Sequence, residues 1–220
     1  MEKIICPFCG KDINYNEVTH FFECKNCNNL FPNLKAEYSI ELWEDFINKY
    51  LNSIPKIFPF NVAFEMREYF GNDLKRIFHA INVANYGHFI AKEVNADLNV
   101  VLCCGYLHDI GIKNAEIKYN SNAPKYQEIE GPPVAKEILK KLNAEEKLID
   151  EVYDIIGHHH SPRENETLNF KSLYDTDLIV NWIDGIKERE VKPKNIDKIL
   201  NLFYTDCGKQ IINNIFKNYV

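Results

Sequence analysis

Apolar residues recur at three- and four-residue intervals along most of the chain, a periodicity that predicts helices. In "SIELWEDFINKYLNSI" the positions Ile40, Leu42, Trp43, Phe46, Ile47 and Leu51 share one side, with Ser39 as a candidate N-cap. Pro55 and Pro59 then interrupt the chain. From "FNVAFEMREYFG" onward almost everything reads helical. Asn72 or Asp73 can cap "LKRIFHAINVANYGHFIAKEVN", whose apolar positions include Ile77, Ile81, Ala84 and Val94. "LNVVLCCGYLHD" reads as a buried helix, with Gly111 expected to stop it as a C-terminal glycine. Pro132 and Pro133 suit the first turn of a helix over "PPVAKEILKKL", where a missing N–H does no harm. "AEEKLIDEVYDIIGHHH", "FKSLYDTDLIVNWIDGIKE" and one or two helices between Asn195 and Phe216 complete the set. There is no internal repeat. The main domain is expected to be all-α.

The first stretch, to Pro32, breaks this pattern: it is short of aliphatics, rich in turn-formers and holds four of the seven cysteines. "CPFCG" (Cys6, Cys9) and "CKNCN" (Cys24, Cys27) form two C-x2-C pairs with fourteen residues between them. Zinc prefers four soft ligands in a tetrahedron, and each C-x2-C turn offers two thiolates. Gly10 and Asn28 follow the pairs, residue types that tolerate positive φ and let backbone N–H groups turn towards sulfur. The stretch resembles a zinc ribbon, which implies a two-knuckle β-hairpin arrangement. The competing reading is a redox-active or incidental set of thiols. His20 is read as a surface histidine, since four cysteines already fill the coordination. A closed set of four ligands makes this zinc structural, while the ribbon's own task (stabilising, dimerising or binding a partner) stays open.

Charge and composition narrow the classes. A formal charge of −6 over 220 residues argues against a generally nucleic-acid-binding surface. No run approaches the ~18 apolar residues of a membrane helix. The opening "MEKIICPFCGK" has no signal-peptide pattern. An odd number of cysteines, without the spacing of a disulfide framework, points to reduced thiols and a cytoplasmic protein.

The helical part carries polar residues where its apolar pattern leaves little room for them. His79 lies in a long amphipathic helix, three residues after Arg76. His108 and Asp109 end an apolar run, His158, His159 and His160 end another, and Asp175 and Asp177 sit in "LYDTDLIVNW". A buried carboxylate costs several kcal/mol unless paired, protonated or metal-bound. Imidazole and carboxylate together suit borderline divalent ions such as Mn, Fe, Co, Ni or Zn. Taken singly, each has an ordinary explanation: a hydrogen-bonded core histidine for His79 or His88, a chance dipeptide for "HD", and cations at a helix C-terminus for "HHH". The order H, HD, HHH, DxD on separate helices is what points to one site.

That order resembles the H…HD…D signature of the HD-domain metal-dependent phosphohydrolase superfamily, over roughly residues 60 to 190. The strings "YFGNDLKRIFHA", "LHDIGIK", "YQEIEGPPVAKEIL", "IIGHHH" and "DTDLIVN" are also similar to small HD proteins of anaerobes and archaea. The resemblance implies an all-α HD-domain helical bundle, with His79, His108, Asp109 and Asp177 as ligands of a divalent metal (Mn, Fe, Co, Ni, Zn or Mg). Asp175 is then a hydrogen-bond partner of a histidine. Arg76, one turn from His79, matches an arginine that contacts phosphate in some HD hydrolases. Family members with two metals usually carry a further histidine where this chain has Gln127, a poor ligand. One metal is therefore the favoured expectation, although Glu128 or Glu130 with His158 or His159 offers material for a second.

The implied activity is hydrolysis of a nucleotide or other small phosphoester by a metal-activated water. Arg76 and Lys113 would neutralise phosphate charge, and Asp109, His158 or His159 would handle protons. The alternative is a nucleotide-sensing protein whose ribbon binds nucleic acid or a protein partner. Oxidative chemistry at a di-iron centre is a third reading, against which Gln127 counts. The expected plan is a zinc ribbon over 1–33, a linking helix over 34–59, and an HD domain with C-terminal helices over 60–220.

Overall fold

Each C-x2-C pair forms the turn of a small antiparallel hairpin. Strand β1 (Lys3–Ile5) pairs with β2 (Asp12–Asn14), and β3 (Phe21–Glu23) pairs with β4 (Leu30–Pro32). The computed structural model describes residues 3–14, 21–32, 58–189 and 195–219, with positions 44, 45 and 48. The amphipathic stretch of residues 39–54 and His20 fall largely or wholly outside these residues. In both knuckles the amide after the second cysteine turns back, Gly10 N–H donating to Cys6 O at 2.9 Å and Asn28 N–H to Cys24 O at 2.6 Å. Gly10 at φ 70° and Asn28 at φ 55° adopt the left-handed backbone that their residue types favour.

The ribbon is docked, not tethered. Phe8 is 2 % exposed and stacks on Tyr86 at 4.8 Å, with Phe89 edge-on at 5.4 Å. Asn85 Nδ2 donates to Leu30 O at 2.5 Å. The Asn218 amide brackets Ile5, accepting from its N–H at 2.7 Å and donating to its carbonyl at 2.6 Å. A side chain thus satisfies both backbone groups of a strand edge.

Nine helices are present among the described residues: α1 (Phe58–Phe70), α2 (Leu74–Val94), α3 (Leu98–Leu107), α4 (Ile112–Tyr119), α5 (Pro124–Lys141), α6 (Glu146–Ile156), α7 (Leu168–Arg189), α8 (Ile196–Leu200) and α9 (Asp206–Tyr219). The mostly helical fold with two small β hairpins matches the expected class. The Asp73 carboxylate caps α2 by accepting from Arg76 N–H at 3.2 Å, and α2 ends on Asn95 in the left-handed region. Asp97 caps α3 through the N–H groups of Asn99 and Val100. α2 packs against both α3 and α7, so the three helices bearing His79, His108 and Asp177 share one core.

Two local expectations are corrected. Gly111 does not end α3 in a left-handed turn: its φ is −75°, and it stands at the N-cap of α4. Glycine is needed there because a Cβ would lie 2.7 Å from Gln127 O and collide with the backbone of Gly131. Pro132 and Pro133 do not open a helix but lie inside α5, whose first-turn proline is Pro124. An interior proline removes a ladder hydrogen bond and crowds the residue before it. Gly131, lacking a Cβ, relieves that crowding for Pro132. The close seat of Gly111 on Gly131 holds α5 against the turn that carries Asp109.

Candidate metal centre

Helices α2, α3 and α7 bring four polar side chains of the H…HD…D series together. His79 Nε2 lies 3.3 Å from His108 Nε2, 3.2 Å from Asp177 Oδ1 and 3.8 Å from Asp109 Oδ2. His108 Nε2 lies 3.5 Å from both Asp109 Oδ2 and Asp177 Oδ1. Two imidazole nitrogens facing each other at 3.3 Å repel unless a cation or a proton stands between them.

The far sides of the rings decide which atoms face inward. His108 Nδ1–H donates to Gly105 O at 3.0 Å, and His159 Nδ1–H donates to Ile156 O at 2.8 Å. A carbonyl can only accept, so Nδ1 carries a proton in both rings and Nε2 is the nitrogen left to face inward. His79 does the same with a carboxylate, its Nδ1 lying 3.2 Å from Asp184 Oδ2. His159 Nε2 is buried and has no partner. It lies 4.0 Å from Asp109 Oδ1, on the side of that carboxylate opposite His79 and His108. Two groups of three ligand atoms result, His79–His108–Asp109 and Asp109–His159–His160, each with its atoms within 4.8 Å of one another. A donor set of lone pairs and carboxylates around an orphaned buried nitrogen fits a divalent cation.

The electrostatics point the same way. Burial opposes a charge on His79, yet hydrogen bonds to Asp177 and Asp184 and the nearby Asp109 push its pKa up to about 10. His108 is likewise raised despite complete burial, by Asp109 and Asp177. Asp177 is held well below the usual carboxylate range: burial works against this, and His108 and His79 outweigh it. Protons thus stand in for positive charge that the carboxylates demand. His159 departs from this pattern, since burial, then His160 and His108, push it down to about 4. A neutral imidazole there is a ligand or acceptor, not an acid.

Other candidates lie elsewhere. His158 is turned to Glu166, 3.1 Å from Oε1, stacks on Phe170 at 4.7 Å, and contacts Asp154 O at 2.5 Å. It braces the loop after α6. Arg76 is held between Asp73 at 2.9 Å and Glu116 at 2.6 Å. Lys113 Nζ donates to Tyr69 O at 3.2 Å. Gln127 Oε1 meets His160 Nε2 at 3.3 Å, at the edge of the second group. Glu128 accepts from His160 N–H and Ser161 O–H, and Glu130 pairs with Lys118 and Tyr119. Neither glutamate joins the cluster. Asp175 serves no histidine: it accepts from Tyr204 N–H, Thr205 N–H and the Thr205 hydroxyl, tying α7 to the start of α9. Asp175 lies two positions before Asp177, about 200° round the helix, so its side chain points away from the cluster.

Sequence reasoning missed Asp184 and Asn181, whose Nδ2 donates to Asp177 Oδ1 at 3.0 Å. The signal was present: Asp177, Asn181 and Asp184 fall at i, i+4 and i+7, one helical face.

In the ribbon, Cys6 Sγ lies 3.7 Å from Cys27 Sγ, and Cys9 Sγ lies 3.7 Å from Cys24 Sγ. Four thiolates at about 2.3 Å from zinc in a tetrahedron stand ~3.8 Å apart. All four sulfurs lie within 4.8 Å of one another, and none is in a disulfide. The cluster fits zinc and leaves no position open.

The HD domain family model matches residues 76–201, more than half of the chain and the span that holds the whole H…HD…D series. The chain belongs to the HD domain family. That membership supports a hydrolase dependent on a divalent metal. The fold is similar to the crystal structure of a predicted HD superfamily hydrolase from an uncultured Thermotogales bacterium, with a TM-score of 0.55 and 20 % identity over 78 % of this chain and 91 % of that one. No curated protein matches the sequence. Among the described residues, no helix is long and apolar enough to cross a membrane.

Proposed function

We propose that this protein is a metal-dependent phosphohydrolase of the cytoplasm, acting on a nucleotide or other small phosphoester. The observation that carries the reading is the convergence of His79, His108, Asp109 and Asp177, each ring fixed so that Nε2 faces the carboxylates. A divalent cation held there supplies Lewis acidity towards a phosphoryl oxygen and lowers the pKa of bound water. Asp109, about a fifth exposed, stands where substrate would meet the cluster and takes up a proton. His160, half-buried beside it, is better placed than His158 to hand a proton to a leaving group. Arg76 contacts phosphate in this reading by exchanging Glu116 for it, and Lys113 remains a peripheral cation. Replacing His108 or Asp109 by alanine should abolish divalent-dependent hydrolysis in a screen of nucleotides and phosphomonoesters. Unaltered turnover in both variants would sink the assignment.

A second reading concerns stoichiometry. The orphaned His159 Nε2 and the Asp109–His159–His160 group favour two cations: Asp109 belongs to both ligand groups, and His160 would serve where Gln127 replaces a histidine. Metal analysis giving two divalent ions beyond the ribbon zinc supports it, and one ion refutes it. The ribbon uses Phe8 to dock on α2, so its contribution is first structural. Salt-sensitive nucleic-acid binding that vanishes on deleting residues 1–33 would add a recognition role.

A further inference from the structure

The three inward-facing histidines are anchored differently. His108 and His159 lean on backbone carbonyls of their own chain turns, at Gly105 and Ile156. Of the three, only His79 is anchored by a side chain from another helix, Asp184 of α7, 105 residues away. A carbonyl is a fixed dipole, whereas a carboxylate brings a full charge that makes the imidazole a stronger donor.

We infer that Asp184 is the positioning residue of this centre, fixing His79 as the Nδ1–H tautomer and strengthening its Nε2 as a ligand for a divalent cation. The inference rests on the reading of the cluster as a cation site, and goes beyond it by assigning a residue outside the H…HD…D series. Asp177 and Asp184 lie two turns apart on the same face of α7. One helix therefore presents a carboxylate to each edge of the same ring: Asp177 Oδ1 at 3.2 Å from Nε2 and Asp184 Oδ2 at 3.2 Å from Nδ1. Rotation of α7 that displaced either carboxylate would displace both, so ring orientation and ligand placement are set together. Asp184 side-chain exposure of 28 %, against 13 % for His79, places it at the rim and leaves it no role as a core packing group.

The test uses the full-length protein with its ribbon zinc retained and Mn2+ as the probe, titrated calorimetrically into wild type, Asp184→Ala and Asp184→Asn. Alanine removes acceptor and charge, and should weaken Mn2+ binding about 10- to 100-fold, the range expected when such a partner is lost. Asparagine keeps an acceptor oxygen, and should recover part of the loss while preserving the Nδ1–H tautomer. Proton NMR of the metal-free protein should show the His79 Nδ1–H as a hydrogen-bonded, exchange-protected proton in wild type and Asp184→Asn, and as a rapidly exchanging one in Asp184→Ala. If Asp184→Ala fails to fold, Asp184→Asn carries the affinity test alone, with unchanged affinity overturning the role of charge. Wild-type Mn2+ affinity and an unchanged, protected His79 Nδ1–H in Asp184→Ala would overturn the inference and leave the cation site standing. Absence of Mn2+ binding in wild type would overturn both.

Discussion

The chain builds two clusters of metal-ligating side chains by opposite means. In the ribbon, four cysteines come from two hairpin turns, so local backbone geometry places every donor. In the helical domain, His79, Asp109 and Asp177 lie up to 98 residues apart, and only the packing of α2, α3 and α7 brings them together. The first site makes its surroundings fold; the second is made by surroundings already folded. The ribbon closes on four ligands, whereas the helical cluster keeps partly exposed carboxylates at its mouth.

Substituting Cys6 and Cys24 by serine should give the largest effect, because structural zinc is worth roughly 10–16 kcal/mol of binding free energy and that energy is folding energy. Zinc analysis should find none bound, while far-UV circular dichroism keeps its helical signal. A collapse of helicity would mean that the ribbon scaffolds the whole domain. His108→Ala sits on the other side of the contrast. It should remove divalent-dependent hydrolysis and the helical-site cation, yet leave one zinc per chain. Phe8→Ala should keep zinc but loosen docking, costing about 3–5 kcal/mol as judged by denaturant unfolding. An unchanged midpoint would show that the aromatic stack on Tyr86 contributes little.

A finer distinction is proton release. Without a cation, His79 is raised from the ordinary 6.5 to about 10, so it is protonated at neutral pH and a cation must displace that proton. Affinity at the helical site should then rise with pH between 7 and 9, about tenfold per unit for each proton released. Calorimetry in buffers of differing ionisation enthalpy measures the count, and a flat profile would contradict it. Smallest of all, His158→Asn should cost roughly 1–2 kcal/mol through its lost Glu166 bond and leave cation binding intact.

What could be read in advance follows the same divide. The knuckles were legible because Gly10 and Asn28 announce positive φ beside the cysteines, a purely local signal. The helices were legible from periodicity, and the H…HD…D series from its order. Illegible features depended on neighbours distant in sequence. Gly111 reads as a helix stop because the reason for its missing Cβ lies on α5, and Pro132 and Pro133 read as a helix start because the Gly131 that accommodates them is itself packed on Gly111. Asp175 and Asp177 differ by two residues on a helix, so one faces the cluster, as the family resemblance implied, while the other binds Thr205 of the α9 start instead of a histidine, a partner 30 residues away. Within the histidine run, His158 and His159 part in the same way: one meets Glu166 and the other aims its free nitrogen at Asp109.

The bracket that Asn218 forms around Ile5 carries a consequence for the order of assembly. The two partners are 213 residues apart, so this contact closes a loop of almost the whole chain. During synthesis the knuckles can load zinc before any helix is made, and α2 can receive Phe8 soon after. The edge of β1 must wait, with its backbone unpaired, until α9 has been made. Loop closure on that scale is slow, which leaves the newborn hairpin edge open to other strands while the 213 residues that lead from Ile5 to Asn218 are made. The final turn of α9 thus acts as a latch on β1.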